Sequence, residues 1–330
     1  SVTALQTKTI LKLATTAKVR KGMTGTLITN SLLDVWSIAQ FIEPTIFKTN
    51  FWGFRNRYML NANAANPWMN FPDWQPRPGA IEEVRKILEP WFIRFEKKDV
   101  LKYLPPVLFQ RRDVELSGDQ EQAYRELKKH FITELKEGKI LAVPDILARV
   151  TKLLQICSGF VYREEFTYRF ESNAKLKELV SLLEELKGKK VVIWTAFKEE
   201  VSGIAGQIHL TRPTLCLSGD TPSKERLGIV NDFNNGDKDT VLVAHPAVGG
   251  EGFTILAPYC IFFSRTWKLL DREQPLGRHH RPGAEQFDNI TVIDIVAKGT
   301  LEDQVMTALA EKKDLLQGIT PAAWRGMIDG

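Results

Sequence analysis

The sequence lacks the features of several protein classes. Its 330 residues contain only three cysteines, which lie far apart without a CxxC pair, so a disulfide framework or a cysteine zinc site is not expected. No apolar run reaches the roughly 18 residues that cross a bilayer, and the opening SVTALQTKTILKL lacks the apolar core of a signal peptide. These absences predict a cytoplasmic protein in a reducing compartment, with no membrane partner.

Acidic residues are absent from the first thirty positions, which carry five basic ones: Lys8, Lys12, Lys18, Arg20 and Lys21. Because the net charge of the whole chain is +5, basic and acidic groups balance in the remaining residues. A mildly basic chain permits a nucleic-acid partner without requiring one. Hydrophobic and charged fractions of 43% and 26% are typical of a globular protein of one to two domains.

Short apolar runs alternate with helical patterns after Lys190. Strands are predicted at 191–197, 214–219, 240–246, 259–265 and 290–297, and helices at 198–210, 222–234, 267–279 and 301–317. The strand runs are continuously apolar rather than alternating, which is typical of parallel strands covered on both faces. The pattern predicts a doubly wound α/β domain, in which ligands bind beyond the carboxyl ends of the strands.

The earlier half of the chain has a different character. Residues 45–78 are aromatic, Asn-rich and interrupted by proline, which predicts an irregular insertion. Helical spacing of apolar residues follows at 81–95, 117–137, 145–158 and 173–187. Pro90 should kink or end the regular part of the first of these helices, and Ser117 with Gln120 fits a capping box at the second.

A glycine-rich loop follows the third predicted strand. PAVGGEGF (246–253) places Gly249, Gly250 and Gly252 within four residues. Such a loop can direct consecutive backbone N–H groups at a phosphate. A tight structural turn explains the same residues equally well when the loop is taken alone.

Two arginines three residues apart follow the fourth predicted strand. In QPLGRHHRPG, Arg278 and Arg281 would share one face of a helix, and guanidinium groups match phosphate oxygens. A solvated basic helix end is the simpler interpretation of the pair in isolation. His279 and His280 do not predict a metal site, because adjacent residues converge poorly on one ion.

The combination of motifs is more specific than its parts. TGTLITN (24–30), VVIWTAF, GDT followed by Arg226 and Phe233, AVGGEGF and QPLGRHHRPG resemble motifs III to VI of superfamily-two helicases, in that order. The form is that of the Snf-two (switch/sucrose-non-fermenting) family of DNA-stimulated ATPases. The helix with Asp34 and Trp36, the LPP at 104–106, LLQICSGFVY and the final GTLEDQVMTALAEKKDLL are also similar to that family. SGFVY resembles its bacterial or phage branch.

The resemblance implies two RecA-like lobes that face each other across an ATP cleft. Residues 1–30 would be the end of lobe one, and 31–103 its helical protrusion and the linker. Residues 104–330 would be lobe two, a RecA-like doubly wound parallel sheet with a helical insertion at about 117–172.

Two motifs of that family are missing from the chain. It contains no GxxxxGK[ST] and no Asp-Glu dipeptide. In the family, the first motif cradles the triphosphate and the second holds Mg²⁺. We therefore expect the carboxy-terminal part of a larger ATPase, inactive alone. In the intact protein, ATP and Mg²⁺ would be bound mainly by the missing amino-terminal lobe. The implied partners are that lobe and double-stranded DNA, and we expect a monomer.

The resemblance also assigns roles to individual residues. Arg278 and Arg281 would be arginine fingers that reach the γ-phosphate, with Gln274 at the head of the same motif. The cofactor-binding residues would be Arg278 and Arg281 with Gly250, Glu251 and Gly252, and the residues that couple nucleotide state to lobe closure would be Thr24, Gly25 and Thr26. A DNA strand would contact Thr195, Lys198, Gly249, Gly250, Arg265 and Trp267.

The motifs depart from the family pattern at four places. Leu27 replaces a proline, Arg94-Phe95 replaces paired arginines, Thr254 replaces an asparagine and Ala284 replaces a glutamine. These changes indicate a divergent member. A non-enzymatic DNA-binding module on a helicase-like scaffold stays open as an alternative. An unrelated nucleotide-binding α/β enzyme is disfavoured, because GGEG lacks the GxGxxG spacing.

Overall fold

The chain divides after Val100 into two units, Ser1–Val100 and Leu101–Gly330. The computed structural model describes residues 4–23, 31–62, 64, 72, 74–93, 100–116, 118–136, 143–163 and 166–310. The predicted coupling residues Thr24, Gly25 and Thr26 lie outside the described residues. Among the helices that are described, none is both long enough and apolar enough to cross a membrane.

The first unit is mostly helical. Its elements are α1 (Leu5–Ala14), α2 (Leu33–Ile42), α3 (Phe51–Tyr58), the antiparallel strands β1 (Met59–Asn61) and β2 (Trp74–Pro76), and α4 (Ala80–Leu88). Its core is aromatic and aliphatic, with Phe47, Phe54 and Tyr58 packed edge-on or tilted against one another. Residues 45–78, predicted to be irregular, therefore contain a helix and two paired strands. Pro90 lies in a 3-10 turn directly after α4, where the regular helix ends as predicted.

The second unit alternates strands and helices. Its elements in chain order are β3 (Val107–Val114), α5 (Gly118–Lys136), α6 (Val143–Cys157), β4 (Phe160–Tyr162), β5 (Thr167–Arg169), α7 (Ala174–Glu185), β6 (Val191–Trp194), α8 (Lys198–Ile208), β7 (Thr214–Leu217), α9 (Ser223–Asn235), β8 (Val241–Ala244), β9 (Tyr259–Phe262), α10 (Leu270–His279), β10 (Ile290–Ala297) and α11 (Leu301–Ala310). Six strands form one sheet in the order β3-β10-β9-β6-β8-β7, and every neighbouring pair is parallel.

Both faces of this sheet are buried. Val191 and Ile193 pack into the core on the first face with α7, α8 and α11, whereas Val192 and Trp194 pack into the core on the second face with α9. Successive side chains of a strand point to opposite faces, so continuously apolar strands are what two cores require. The predicted doubly wound parallel sheet is confirmed. β10 ends at Ala297 as predicted, whereas β6, β7, β8 and β9 end two or three residues earlier than predicted, because the chain turns into loops there.

One edge strand was not predicted. β3 pairs with β10 along all eight of its residues, yet most of VLFQRRDV is exposed, including Leu108 and Phe109. Arg111 and Arg112 bond to Asp303 and Glu185 on neighbouring helices. This edge strand is stabilised by its hydrogen-bond ladder and by such surface pairs, so it needs no long apolar run.

The predicted helical insertion is built on the same core as the sheet. It contains α5 and α6, followed by the antiparallel pair β4 and β5. Phe131 and Leu154 from these helices belong to the core on the first face. Ser117, the other member of the predicted capping box, lies outside the described residues, so the box stays a prediction. The side chain of Gln120 has a different contact. Its buried amide donates to the carbonyls of Ile156 and Cys157, at 2.6 and 3.2 Å, and so joins α5 to the end of α6.

Candidate functional site

Four loops meet at the carboxyl edge of the sheet. Ala196, which follows β6, donates its N–H to Ser264 Oγ after β9 at 2.6 Å. The carbonyl of Ala196 accepts a hydrogen bond from His245 Nε2 after β8 at 3.1 Å. Lys198 Nζ reaches Asp220 Oδ1 after β7 at 2.8 Å. In parallel α/β sheets this edge is where ligands bind, so these loops form the candidate site.

Lys198 and Thr195 differ in their access to a ligand. The ammonium group of Lys198 is exposed and is paired with the exposed Asp220. Thr195 has no exposed surface, and its hydroxyl donates within the loop to the carbonyl of Phe197 at 3.3 Å. A direct contact from the Thr195 side chain to a DNA backbone is therefore not available, whereas Lys198 remains accessible.

Arg265 lies in the interior rather than at the surface. Only 4% of the residue is exposed, and its guanidinium donates to the carbonyls of Phe262 and Ile295 at 3.1 and 2.8 Å. β9 ends at Phe262 while its neighbour β10 continues to Ala297, so Arg265 fills the place beyond the shorter strand. The charge of Arg265 is used inside the protein, and its predicted contact with DNA stays a prediction. Trp267 beside it is half-buried against the core on the first face.

The glycine loop forms a short 3-10 helix, Pro246–Glu251. His245 starts it, with Nδ1 accepting the N–H of Ala247 at 3.1 Å. Gly252 ends it with φ +71°, a left-handed conformation that a residue without Cβ adopts without strain. Of Gly249, Gly250 and Glu251 the structure describes only the backbone course, so their predicted contacts with phosphate and DNA stay predictions.

His245 is a link between loops that the sequence analysis missed. Because Nδ1 accepts and Nε2 donates, the ring is neutral and joins the start of the glycine loop to the loop after β6. Burial lowers its pKa, which favours that neutral form. Its position immediately after the apolar strand β8 could have indicated this role.

Glu200 on α8 is a second group that the sequence analysis missed. Its Oε2 accepts the N–H of Phe197 at 3.1 Å and the hydroxyl of Ser264. Burial raises the pKa of this carboxyl to about 6. Glu200 thus joins the loops after β6 and β9 from beneath the candidate site.

Arg278 is buried near the end of α10 without an anionic partner. The residue is 7% exposed, and it forms no ion pair and no side-chain hydrogen bond with any residue that the structure describes. Burial, and then the charge of Arg281, lowers its pKa. A buried guanidinium without a counter-charge is unfavourable unless an anion binds beside it. Gln274, one turn earlier, is exposed.

Arg281 is engaged with the glycine loop instead. Its guanidinium donates to the carbonyls of Gly252 and Phe253 at 2.8 and 3.3 Å, and its Nε donates to Gly277 at 2.7 Å. The two predicted arginine fingers therefore lie side by side with different roles here. Arg281 holds the loop, whereas Arg278 is uncommitted among the described residues.

The two histidines between these arginines are structural. His279 Nε2 accepts the indole N–H of Trp194 at 3.0 Å, and burial lowers its pKa to about 4, so it is neutral. His280 Nε2 lies 3.1 Å from the carbonyl of Pro105. The described residues contain no group of three His, Cys, Asp or Glu side chains that could hold a metal ion.

Comparison with protein families finds two matches along the chain. Residues 2–159 match the SNF2-related domain, and residues 174–283 match the helicase conserved C-terminal domain. The second match contains the loops of the candidate site and both arginines.

Curated relatives cover most of this chain, but it covers only part of them. An uncharacterized ATP-dependent helicase of Mycoplasma genitalium is 27% identical over 90% of this chain and 27% of its own length. A putative ATP-dependent helicase/translocase of Bacillus subtilis is 25% identical over 89% and 32% respectively. The chain thus spans about a quarter to a third of these relatives. Bacterial relatives are consistent with the predicted branch, and its phage-like part stays a prediction.

Solved structures support the fold. The SWI2/SNF2 ATPase core of Sulfolobus solfataricus in complex with double-stranded DNA matches all of this chain and 68% of that one, with a TM-score of 0.53 and 23% identity. The C-terminal part of the Fun30 ATPase domain matches 68% of this chain and 98% of that one, with a TM-score of 0.52 and 16% identity. At these identities the likeness concerns the RecA-like architecture.

Proposed function

The chain belongs to the SNF2-related family of ATP-dependent helicases, and we propose that it supplies the carboxy-terminal RecA-like lobe of a DNA-dependent ATPase. Residues 104–330 act as that lobe. Residues 1–30 are the end of the first lobe and 31–103 its protrusion and the linker, with Thr24, Gly25 and Thr26 as coupling residues. The activity belongs to the complete protein, and the 330 residues alone do not hydrolyse ATP.

The observation that carries this proposal is the uncommitted Arg278. Its buried guanidinium has no carboxylate partner in the described part of the chain, and a phosphate oxygen would supply the missing negative charge. We assign Arg278 as the principal arginine finger, which stabilises the charge that develops on the γ-phosphate. Arg281 completes the pair once the glycine loop moves, because its hydrogen bonds to Gly252 and Phe253 occupy it here. Gln274 lies one turn before Arg278 on α10 and is exposed.

Mg²⁺ has no ligand set in the described part of this chain. No suitable cluster of His, Cys, Asp or Glu is present there, and the sequence contains no Asp-Glu motif. The magnesium ion that accompanies ATP would therefore be held by the other lobe.

The proposed DNA contact uses the loops at the carboxyl edge. Lys198 offers an exposed ammonium group there, and Gly249 and Gly250 offer backbone N–H groups, both suited to phosphate oxygens and indifferent to base sequence. The half-buried Trp267 borders these loops. We propose double-stranded DNA as the partner, bound in the cytoplasm.

Turnover by the product of the complete reading frame tests the arginine assignment. Replacing Arg278 with alanine should lower kcat for ATP by about a thousandfold or more, because an arginine finger contributes about 10³–10⁵ in rate. ATP binding should change far less, since the arginine acts mainly in the transition state. Steady-state hydrolysis and nucleotide titration measure the two effects.

An Arg112→Ala variant is the control, because Arg112 is an exposed arginine on the edge strand β3. It should retain the turnover of the unaltered protein. Equal turnover in the Arg278→Ala variant would remove the finger assignment and favour the DNA-binding module. Robust ATP hydrolysis by the 330 residues alone would contradict the proposal as a whole.

A further inference from the structure

A chain of buried ion pairs lies beside the candidate site. Arg272 on α10 makes two hydrogen bonds to Asp294 on β10, at 2.6 and 2.8 Å. Arg265 lies 3.5 Å from Asp294 and 3.3 Å from Glu302. Glu302 is paired in turn with Lys175 at 2.7 Å. These five residues, Arg272, Asp294, Arg265, Glu302 and Lys175, are called the ion chain below.

The ion chain crosses the sheet from one layer to the other. Arg272 lies over the ring of Phe262, which belongs to the core on the second face. Lys175 lies over the ring of Phe263, which belongs to the core on the first face. Arg265 joins them through the space beyond the end of β9. The position of α10 on one face is therefore tied to α7 and α11 on the other.

Stability alone does not account for such an arrangement. Lys175 and Glu302 have at most 1% of their side chains exposed, and burial lowers the pKa of Lys175. Removing charges from water is costly, and well-packed apolar residues often replace a buried ion pair without loss. Ion pairs nevertheless have a directional geometry that apolar contacts lack. The forked bond between Arg272 and Asp294 allows one orientation of the guanidinium plane.

Two anchors lie along one side of α10, and Arg278 lies on another side. Arg272 and His279 are seven residues apart, two turns along the same side of the helix, and His279 is fixed to Trp194. Gln274 and Arg278 lie four residues apart, with Arg278 about 100–120° around the helix axis from the two anchors. Two anchors along one side fix the rotation of a helix about its axis, and hence the direction in which Arg278 projects.

We propose that Asp294, through its paired bonds to Arg272, is a positioning residue that sets the rotation of α10 and so directs Arg278 toward the phosphate site. The consequence for turnover rests on the proposed function; the effect on α10 does not. The ligand that Arg278 would contact is the triphosphate of a nucleotide, and Asp294 itself touches no ligand.

Hydrogen exchange in the full 330-residue chain tests the structural part. In an Asp294→Asn variant, the amides of Leu270–His279 should exchange about tenfold faster relative to those of Ser223–Asn235, because a local anchor is lost rather than global stability. A double variant, Arg272→Gln with Asp294→Asn, places two amides opposite each other and should recover part of the protection. The matched control is Glu185→Gln, which breaks the exposed pair with Arg112 and should change neither segment.

Turnover of the complete gene product tests the functional part. Asp294→Asn should lower kcat by about a hundredfold, as a misplacement of about 1 Å can do, while KM for ATP stays within about threefold. If Asp294→Asn does not fold, Arg272→Lys serves in its place, since it keeps the charge and removes the fork.

The outcomes separate this inference from the proposed function. Unchanged protection of α10, or equal acceleration in α9 and α10, overturns the positioning role. Unchanged kcat in Asp294→Asn, with turnover lost in Arg278→Ala, overturns it while the arginine finger stands. Faster exchange in α10, with turnover retained in Arg278→Ala, supports positioning of the helix and rejects the finger.

Discussion

The two ends of α10 use buried arginine in opposite ways. At the start of the helix, Arg272 is matched by both oxygens of Asp294, within 2.8 Å. Near its end, Arg278 is buried to a similar degree and meets no carboxylate in the described part of the chain. Within one helix, the fold thus supplies a counter-charge to Arg272 and, among the described residues, none to Arg278.

This difference separates structural charge from functional charge. A protein can tolerate a buried guanidinium when it supplies the counter-charge itself, as Asp294 and Glu302 do for the ion chain. A guanidinium left without one lowers the stability of the unliganded protein and raises its affinity for an anion. Burial by itself does not make the distinction, because Arg265 and Arg278 are both nearly inaccessible.

The largest expected effect on stability comes from exchanging each arginine for methionine. Arg265→Met should lower the free energy of unfolding by about 3–5 kcal/mol, because the buried carbonyls of Phe262 and Ile295 lose their donor and Asp294 and Glu302 each lose one of two cationic neighbours. Arg278→Met should leave the free energy of unfolding unchanged or raise it, since it removes an uncompensated charge. Urea unfolding of the 330-residue chain measures both. Equal losses of stability in the two variants would show that Arg265 and Arg278 do not differ in whether the fold compensates their charge.

The neutral His279 gives the next largest effect, which depends on pH. Its pKa is about 4 in the folded chain against about 6.5 unfolded, so the unfolded state binds the proton more readily. Stability from this group is therefore full above pH 6.5 and is lost as pH falls toward 4, by about 3 kcal/mol. Between pH 7.5 and pH 4, the free energy of unfolding should fall more in the unaltered chain than in His279→Gln. The amide oxygen of that variant can still accept the indole N–H of Trp194. Parallel pH profiles would show that His279 is not the group responsible.

Lys198 at the open edge gives the smallest effect on stability. Its pair with Asp220 is exposed, so Lys198→Ala should change the free energy of unfolding by less than about 1 kcal/mol. For duplex DNA binding, the slope of the logarithm of the binding constant against the logarithm of salt concentration should decrease in magnitude by about one, as expected when one phosphate contact is lost. Lys187→Ala is the matched control, an exposed lysine before the amino end of β6. The same decrease in both variants would place the DNA elsewhere.

Periodicity predicted the second unit well because its strands are buried on both faces. A run such as VVIW has no exposed position, so the sequence shows five of the six sheet strands directly. β3 was missed because its apolar residues form only the short run VLF, followed by four polar residues, QRRD. The ends of the strands were placed too late because apolar residues continue into loops that no longer pair.

Site residues were predicted by motif, and the motif did not reveal their surroundings. Arg278 and Arg281 were identified together, but only the fold shows that Arg281 is held by the glycine loop. The resemblance assigned Arg265 to DNA, whereas its side chain turns inward. Asp294 had a visible signal, a single acid within the apolar run ITVIDIVA, which predicts a buried charge that needs a partner.

The sequence by itself determined the order and type of the elements from Lys190 onward and the identity of the two arginines, because apolar period and motif spacing are local properties of the chain. Which arginine has a counter-charge was decided only by the tertiary structure. Asp294 lies 22 residues from Arg272 and Glu302 lies 127 residues from Lys175, and contacts over such separations depend on strand order and register. The balance of charge around a buried group is a property of the packed fold, and no local pattern contains it.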